Sequence, residues 1–107
     1  MNQHSEFVLC REKGVSKPGK YIVLSTLEDE SLTYPKLAYI TTKKVGRAHQ
    51  RNAIRRKLRA ITQKHGDKLT GKRYLVTIAR WRAAEATFAE LERDWLRLAK
   101  RLNIIES

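Results

Sequence analysis

Residues 47–64, RAHQRNAIRRKLRAITQK, carry the pattern that decides the predicted fold. Ile54, Leu58 and Ile61 recur at the spacing of one face of an α-helix. At about 100° per residue, the basic side chains of this stretch fan out across the opposite face. Gly66 follows as a C-terminal stop. The stretch therefore predicts a helix with a narrow buried stripe and a broad basic face.

The basic residues of the chain cluster on and around this helix. The chain holds 23 Lys and Arg against 11 Asp and Glu, a net charge of +12. Residues 43–59 contain eight of the basic residues and no acidic one, whereas residues 1–42 contain five of each kind. Like charges held together destabilise a folded chain by repulsion, and a polyanion removes that cost. A merely solvated helix face is the alternative, but such faces usually intersperse Glu and Asp at i,i+4 positions.

Three stretches rich in β-branched and aromatic residues predict β-strands. They are residues 20–27 (KYIVLSTL), 36–42 (KLAYITT) and 73–80 (RYLVTIAR). The first two are separated by the polar stretch EDESLTYP, and we expect a hairpin-like connection between them. Val15 and Ser16 are expected to add a short edge strand.

Two further helices flank these elements. Residues 5–13 have weak helical periodicity and end at Gly14, which predicts a short helix. Thr87, followed three residues later by Glu90, is a capping-box signature for the start of a last helix. The apolar residues of that helix share one side: Phe88, Leu91, Trp95, Leu98 and Leu102. Trp95 is therefore expected in the core.

The order helix, two or three strands, basic helix, strand, helix predicts an α+β sandwich with helices on one face of a small sheet. The other face of the sheet, or its rim, is then expected to be free for binding. With 107 residues the chain has room for a single domain, residues 1–107. No run approaches the roughly 18 apolar residues of a membrane span, so the expected compartment is the cytoplasm. Cys10 is the only cysteine in the sequence, which excludes an internal disulfide.

Side chains that could catalyse a reaction are few and dispersed. The acidic groups at residues 28–30 and 85–94 do not converge with a nucleophile in the sequence. His4, His49 and His65 lack metal-ligand spacing and are expected at the surface. The sequence also lacks the Gly-rich motifs that bind nucleotide phosphates. It thus predicts a binding protein with no catalytic residue and no metal site of its own.

The stretch 43–59, KKVGRAHQRNAIRRKLR, resembles the signature of the bacterial ribonuclease P protein component. In that signature an apolar residue and Ala precede Arg-Asn, an apolar residue, two basic residues, a further apolar residue and a final basic one. The matching residues are Val45, Ala48, Arg51, Asn52, Ile54, Arg55, Arg56, Leu58 and Arg59. Ala53 departs from the signature, because the family usually has a basic or bulky residue there. The stretches 20–27, 74–80 and 84–102 also resemble the family, so the likeness covers nearly the whole chain.

The resemblance implies a fold similar to the second domain of ribosomal protein S5, with the order α-β-β-(β)-α-β-α. It also implies a left-handed β-α-β crossover that carries the basic helix, against the general right-handed rule. The implied function is that of the protein subunit of ribonuclease P, an endoribonuclease that removes the 5′ leader of precursor tRNA. The RNA subunit and its Mg²⁺ perform the chemistry, and we expect the protein as a monomer in a 1:1 complex with that RNA.

The resemblance further implies two RNA-contacting surfaces. The first would dock the catalytic RNA through phosphates and 2′-hydroxyls. Its residues are Lys43, Lys44, Gly46, Arg47, Arg51, Asn52, Arg55, Arg56 and Arg59. The second, formed by the sheet face and the first helix, would hold the single-stranded leader by stacking and charge. Its residues are Phe7, Arg11, Tyr21 and Tyr39. Family members often carry three aromatics in this cleft, and Arg11 and Ser25 stand at two of those positions.

Two other functions fit a basic helix on a small α+β domain. One is a ribosomal or other structural RNA-binding protein without a role in tRNA processing. The other is a DNA-binding protein that inserts residues 47–64 into a major groove. The adjacent Arg51 and Asn52, within the ribonuclease P signature, favour tRNA processing over both alternatives.

Overall fold

A computed structural model gives the fold of the chain. It describes residues 14–33, 35–41, 43–66, 69 and 73–105. The helix predicted at residues 5–13 lies outside these ranges, together with Phe7, Cys10 and Arg11. Neither helix of the described part combines the length and the hydropathy needed to cross a lipid bilayer.

Four strands and two α-helices form within the described ranges. The strands are β1 (Val15–Pro18), β2 (Ile22–Glu28), β3 (Lys36–Ile40) and β4 (Arg73–Ala79). The helices are α1 (Ala48–Lys64) and α2 (Phe88–Arg101), and two 3₁₀ turns, Lys43–Val45 and Trp81–Glu85, come before them. The elements predicted within these ranges are all present, including the edge strand at Val15 and Ser16, and their order confirms the α+β class.

The strands form one sheet in the order β1-β2-β4-β3. β2 pairs antiparallel with both neighbours, so that Ser25 lies opposite Ser16 on one side and Val76 on the other. β3 pairs parallel with β4, with Leu37 opposite Leu75. α1 is the crossover between these two parallel strands. The hairpin-like connection predicted between β2 and β3 is therefore wrong, since β4 lies between them.

The composition of β4 explains its central position. Tyr74, Leu75, Val76 and Thr77 are consecutive and all buried, which is the pattern of a strand covered on both faces. Every residue of β3 is only half-buried, as expected for an edge strand. Burial of the more apolar strand thus outweighs the tendency of consecutive strands to pair with each other.

α1 and α2 cover one face of the sheet and form the main core with it. Ile54, Leu58 and Ile61 are buried there, which confirms the predicted stripe of the basic helix. Trp95 is fully buried, which confirms its predicted place in the core. Phe88, the first residue of α2, is 38% exposed, and full burial on the apolar side of this helix begins one turn later, at Leu91.

The centre of the second face of the sheet is buried as well. Tyr74 and Val76 of β4 form a smaller apolar cluster there with Leu32, which follows β2. Ser25 is only 1% exposed, and its hydroxyl pairs with that of Ser16 on β1. The expectation that this face is free for binding is therefore wrong at these positions. The apolar side chains of this cluster are more stable when they pack together than when they face water.

The carboxylate of Asp94 joins α2 to the connection between β1 and β2. It accepts hydrogen bonds from the backbone N–H groups of Lys20, Tyr21 and Ile22, at 3.3, 2.9 and 3.2 Å. The side chain of Arg97 donates to the same carboxylate at 2.7 Å. A Cβ on Gly19 would lie 2.6 Å from the Asp94 oxygens, so only glycine fits at this turn. Because these N–H groups bond to Asp94, β2 starts two residues later than the sequence predicts.

Replacing Asp94 with Asn should destabilise the fold by about 2 to 4 kcal/mol, because a charged acceptor is lost and the new amide NH₂ group faces backbone donors. Urea unfolding followed by circular dichroism measures this change. The control is Glu85→Gln, an exposed carboxylate outside this contact, which should change stability by less than about 0.5 kcal/mol. Equal stability of the two variants would contradict the role given to Asp94.

Candidate nucleic-acid interface

α1 begins at a turn that suits only glycine. Gly46 has a φ of +145°, and a Cβ there would collide with the side chain of Gln50. Oε1 of Gln50 accepts a hydrogen bond from the backbone N–H of Arg47 at 2.8 Å, which caps the first turn of α1. Gly46 therefore has a structural role at the start of the helix, and its contact with RNA stays a prediction.

The turn Lys43–Val45 extends the basic segment ahead of the helix. Val45 is 4% exposed and anchors this turn in the main core, while Lys44 is exposed to solvent. Lys43 is the first residue of the same turn. The residues predicted to dock RNA thus form one continuous segment, from this turn to Arg59 on α1.

The outward face of α1 presents five arginines. Arg47, Arg56 and Arg59 are exposed, and Arg51 and Arg55 are half-buried. None of the five forms an ion pair with a carboxylate in the described part of the chain. Their charge is therefore available to an external polyanion, whose phosphates would release counterions on binding.

Asn52 lies among these arginines and orients one of them. Nη2 of Arg55 donates a hydrogen bond to Oδ1 of Asn52 at 2.6 Å, across one helical turn. The NH₂ group of Asn52 adds a further donor on the exposed surface. Arg51 bends back towards the helix start, with Nη1 3.5 Å from the carbonyl oxygen of Gly46. Asn52 and Arg55 thus present fixed planar donors, which suit phosphate oxygens.

Tyr39 lies under α1, on the helix-covered face of the sheet. Its hydroxyl pairs with that of Thr62, and the guanidinium carbon of Arg59 lies 5.7 Å from the centre of its ring. Burial raises the pKa of Tyr39 above its ordinary value of 10.0, so the hydroxyl is neutral at pH 7. Tyr39 therefore connects β3 to α1 and positions Arg59.

Tyr21 lies beside α2, away from the second face of the sheet. Its hydroxyl donates to Oε2 of Glu90 at 2.8 Å, and Nζ of Lys20 lies 5.2 Å from its ring centre. Tyr21 and Tyr39 both pack against the main core, on the helix-covered side of the sheet. Whether either tyrosine contacts the leader stays a prediction, and Phe7 and Arg11 lie outside the described residues.

His65 is buried at the end of α1, where the sequence predicts a surface residue. Its ring stacks on that of Trp95, with centroids 6.0 Å apart and planes 18° apart. Its Nε2 lies 3.2 Å from Oε2 of Glu92, which Lys64 contacts at 3.1 Å. The hydrogen bond from Lys64 holds the pKa of Glu92 below its usual 4.5. His49 is exposed as predicted. The sequence signal for the burial of His65 is the predicted burial of Trp95, because a core tryptophan needs neighbours such as the end of a packed helix.

Glu90 and Glu28 stabilise the fold. Glu90 closes the capping box of α2 with Thr87, and the hydrogen bond from the Thr87 backbone lowers the pKa of Glu90. Glu28 pairs with Arg73 at 3.2 Å across β2 and β4. Across the described ranges, no three His, Cys, Asp or Glu side chains come together in a group able to hold a metal ion. Glu90 and Glu28 are therefore bound to partners within the fold.

A helix face that carries basic residues and no acidic one, on an α+β sandwich, is typical of a nucleic-acid-binding protein. The sequence profile of the family described as Ribonuclease P matches residues 1–103. The chain therefore belongs to the family of ribonuclease P protein components, as its resemblance to that signature predicted. This membership supports a role in tRNA 5′ processing and does not favour a structural RNA-binding protein without such a role.

Individual relatives agree with this assignment. The ribonuclease P protein component of Natranaerobius thermophilus is 32% identical over 93 residues, which cover 87% of this chain and 80% of the relative. That of Syntrophomonas wolfei is 30% identical over 87% of this chain and 77% of its own length. The structure of the Staphylococcus aureus ribonuclease P protein superposes with a TM-score of 0.91 at 22% identity, over 99% of this chain and 96% of that one. The superposition confirms the predicted fold.

Proposed function

We propose that this chain binds the catalytic RNA of a ribonuclease P and the 5′ leader of precursor tRNA, and that it assists Mg²⁺-dependent removal of the leader. The observation that carries the proposal is the uncompensated face of α1, where Arg51, Asn52 and Arg55 occupy the positions of the family signature. Ribonucleotides offer phosphates and 2′-hydroxyls, which match guanidinium donors and an amide that both donates and accepts.

Docking of the catalytic RNA is the task we assign to the segment from Lys43 to Arg59. Each arginine that neutralises a phosphate releases counterions, which favours association and makes it depend on salt. Tyr39 and Thr62 hold the sheet against α1 below Arg59, so the position of that cation is fixed before the RNA arrives. Preorganisation of this kind lowers the entropy lost on binding.

The hydrolysis itself is assigned to the RNA subunit and to the Mg²⁺ that this RNA holds. Asp94 and Glu92 are engaged in the fold, Asp94 with backbone N–H groups and Glu92 with Lys64. In the proposal the protein brings two polyanions together, which lowers the Mg²⁺ concentration needed for the productive complex. Cleavage would leave a 5′ phosphate on the mature tRNA.

Leader contacts are assigned to Phe7 and Arg11, with Tyr21 and Tyr39 as supporting residues. Stacking and charge are the interactions that hold single-stranded RNA without reading its sequence. We further propose that the protein acts in the cytoplasm, as a monomer bound to one RNA. Each of these assignments follows from the role in tRNA processing.

Reconstitution with a ribonuclease P RNA tests this function. At Mg²⁺ concentrations too low for the RNA alone, the protein should accelerate cleavage of precursor tRNA, and the protein without RNA should not cleave. Cleavage by RNA-free protein that is lost on mutation of one carboxylate would overturn the assignment of chemistry to the RNA. Tighter binding to duplex DNA than to the RNA, without stimulation, would favour a DNA-binding protein.

Arg55→Ala should weaken binding to the catalytic RNA and lower its salt dependence. Loss of one phosphate contact removes roughly 0.7 to 0.9 from the slope of log affinity against log salt concentration. Filter binding at several salt concentrations measures this slope. Lys100→Ala removes an exposed positive charge from α2 and serves as the control, with little change expected in the slope. If both variants change the slope equally, Arg55 makes no particular phosphate contact.

Ala53→Arg should tighten the complex with the catalytic RNA. Ala53 is exposed on α1 beside Asn52, and Arg has nearly the helix propensity of Ala, so the fold should tolerate the change. One added charge-assisted contact gives about 1 kcal/mol, and this gain should shrink as salt rises. Ala89→Arg adds the same charge to an exposed site on α2 and should give a smaller gain. A loss of affinity would show that the signature does not carry over to Ala53.

A further inference from the structure

Trp81 is an exposed aromatic residue that no step of the proposed function uses. Its side chain is 56% exposed, whereas Trp95 is fully buried. Among the described residues, the other exposed large apolar side chains are Val15 and Phe88. Aromatic side chains, tryptophan among them, are enriched where proteins bind partners.

The backbone presents Trp81 on a fixed support. It is the first residue of the 3₁₀ turn that follows β4. Arg80, directly before it, donates its backbone N–H to the carbonyl of Tyr21 at 2.8 Å, and Ala83 donates back to Arg80 at 2.9 Å. Ala83 and Ala86 are buried in the main core. The exposed ring is therefore held by a segment that is anchored at both ends.

Arg82 adds a cation to the ring. Its guanidinium carbon lies 5.0 Å from the centre of the Trp81 ring, within the range of a cation–π contact. Both groups are planar, and both stack on nucleobases in single-stranded RNA. The guanidinium also carries a positive charge that attracts the phosphate next to a stacked base.

The location of this pair favours RNA over other partners. The turn Trp81–Glu85 contacts the turn Lys43–Val45 and also α1, so it adjoins the start of the basic face. Val45 and Ala83 share the core beneath these two turns. RNA that is bound along α1 therefore passes close to Trp81. A base that is paired inside a duplex is stacked on its neighbours, so only an unpaired base is available for this ring.

We propose that Trp81 and Arg82 form a stacking site for an unpaired nucleotide of the RNA bound to α1. The site rests on the proposed function, and it extends the interface beyond the basic helix. The nucleotide comes from the catalytic RNA or from the precursor, and both offer the same chemistry. Trp81 and Arg82 belong to the stretch RWRAAE, residues 80–85, which lies outside the signature that identifies the family.

The first experiment tests stacking with the protein alone. Tryptophan fluorescence is measured while a single-stranded RNA octamer is added to the wild-type chain and to Trp81→Phe, which retains only Trp95. Stacking on Trp81 should quench the fluorescence of the wild-type chain and leave that of Trp81→Phe nearly unchanged. Equal responses of the two proteins would overturn the proposal, whatever the protein does in ribonuclease P.

The second experiment measures affinity and separates the two sources of the nucleotide. Trp81→Ala should weaken RNA binding roughly 5-fold to 100-fold, the range of one base–aromatic stack, while Trp81→Phe should retain most of the affinity. If Trp81→Ala weakens binding of the catalytic RNA in the absence of precursor tRNA, the nucleotide belongs to the catalytic RNA. A loss seen only for precursor tRNA binding to the reconstituted complex assigns it to the precursor.

Controls keep these results distinct from effects on folding and from failure of the proposed function. Phe88→Ala truncates another exposed aromatic residue and should leave RNA affinity unchanged. The melting temperature of Trp81→Ala should equal that of the wild type, because the side chain is exposed. Wild-type affinity in Trp81→Ala, or an equal loss in Trp81→Phe, overturns the stacking site even where the wild-type protein stimulates cleavage.

Discussion

The structure depends on the burial of one narrow stripe of α1. Ile54, Leu58 and Ile61 are 3%, 0% and 0% exposed, and they share the main core with Leu24 and Leu75 of the sheet. At about 1.5 to 3 kcal/mol for each side chain, this burial contributes roughly 5 to 9 kcal/mol. It fixes the rotation of α1 about its axis, and the helical period then sends the arginines outward. Packing, rather than pairing of opposite charges, holds the basic face in place.

The distribution of carboxylates keeps that face positive. Asp94 accepts backbone hydrogen bonds at the start of β2, Glu90 caps α2, and Glu92 lies against Lys64 at the far end of α1. Each carboxylate stabilises the fold at a distance from the first three turns of α1. The carboxylates named here therefore do not neutralise the arginines of α1, and their mutual repulsion is a cost that a bound polyanion would remove.

Local patterns in the sequence predict much of the fold and part of the site. The period of α1 and the capping box at Thr87 depend on residues within one or two helical turns, so both are readable from sequence. The position of β4 between β2 and β3 depends on which strand gains most from burial on two faces, which is a comparison across the whole chain. The placement of Tyr39 under α1 and of His65 against Trp95 follows from that arrangement. Sequence alone therefore predicted the basic face of α1 but not the packing of Tyr39 and His65 against their neighbours.

The first turns of the two helices are stabilised in different ways. The difference matches the structural role of α2 and the RNA-binding role that we propose for α1. In α2, Thr87 and Glu90 exchange hydrogen bonds, and the Glu90 carboxylate complements the positive end of the helix dipole. In α1 the first turn contains no acidic residue, the neutral Gln50 caps it, and Arg47 stands directly before it. Cations at this end oppose the dipole, so a bound polyanion relieves both this mismatch and the repulsion among the arginines. Binding and the stability of α1 are therefore thermodynamically linked. The helix that carries Trp95 is stabilised by its own sequence, whereas in the proposed function α1 gains stability from the bound RNA.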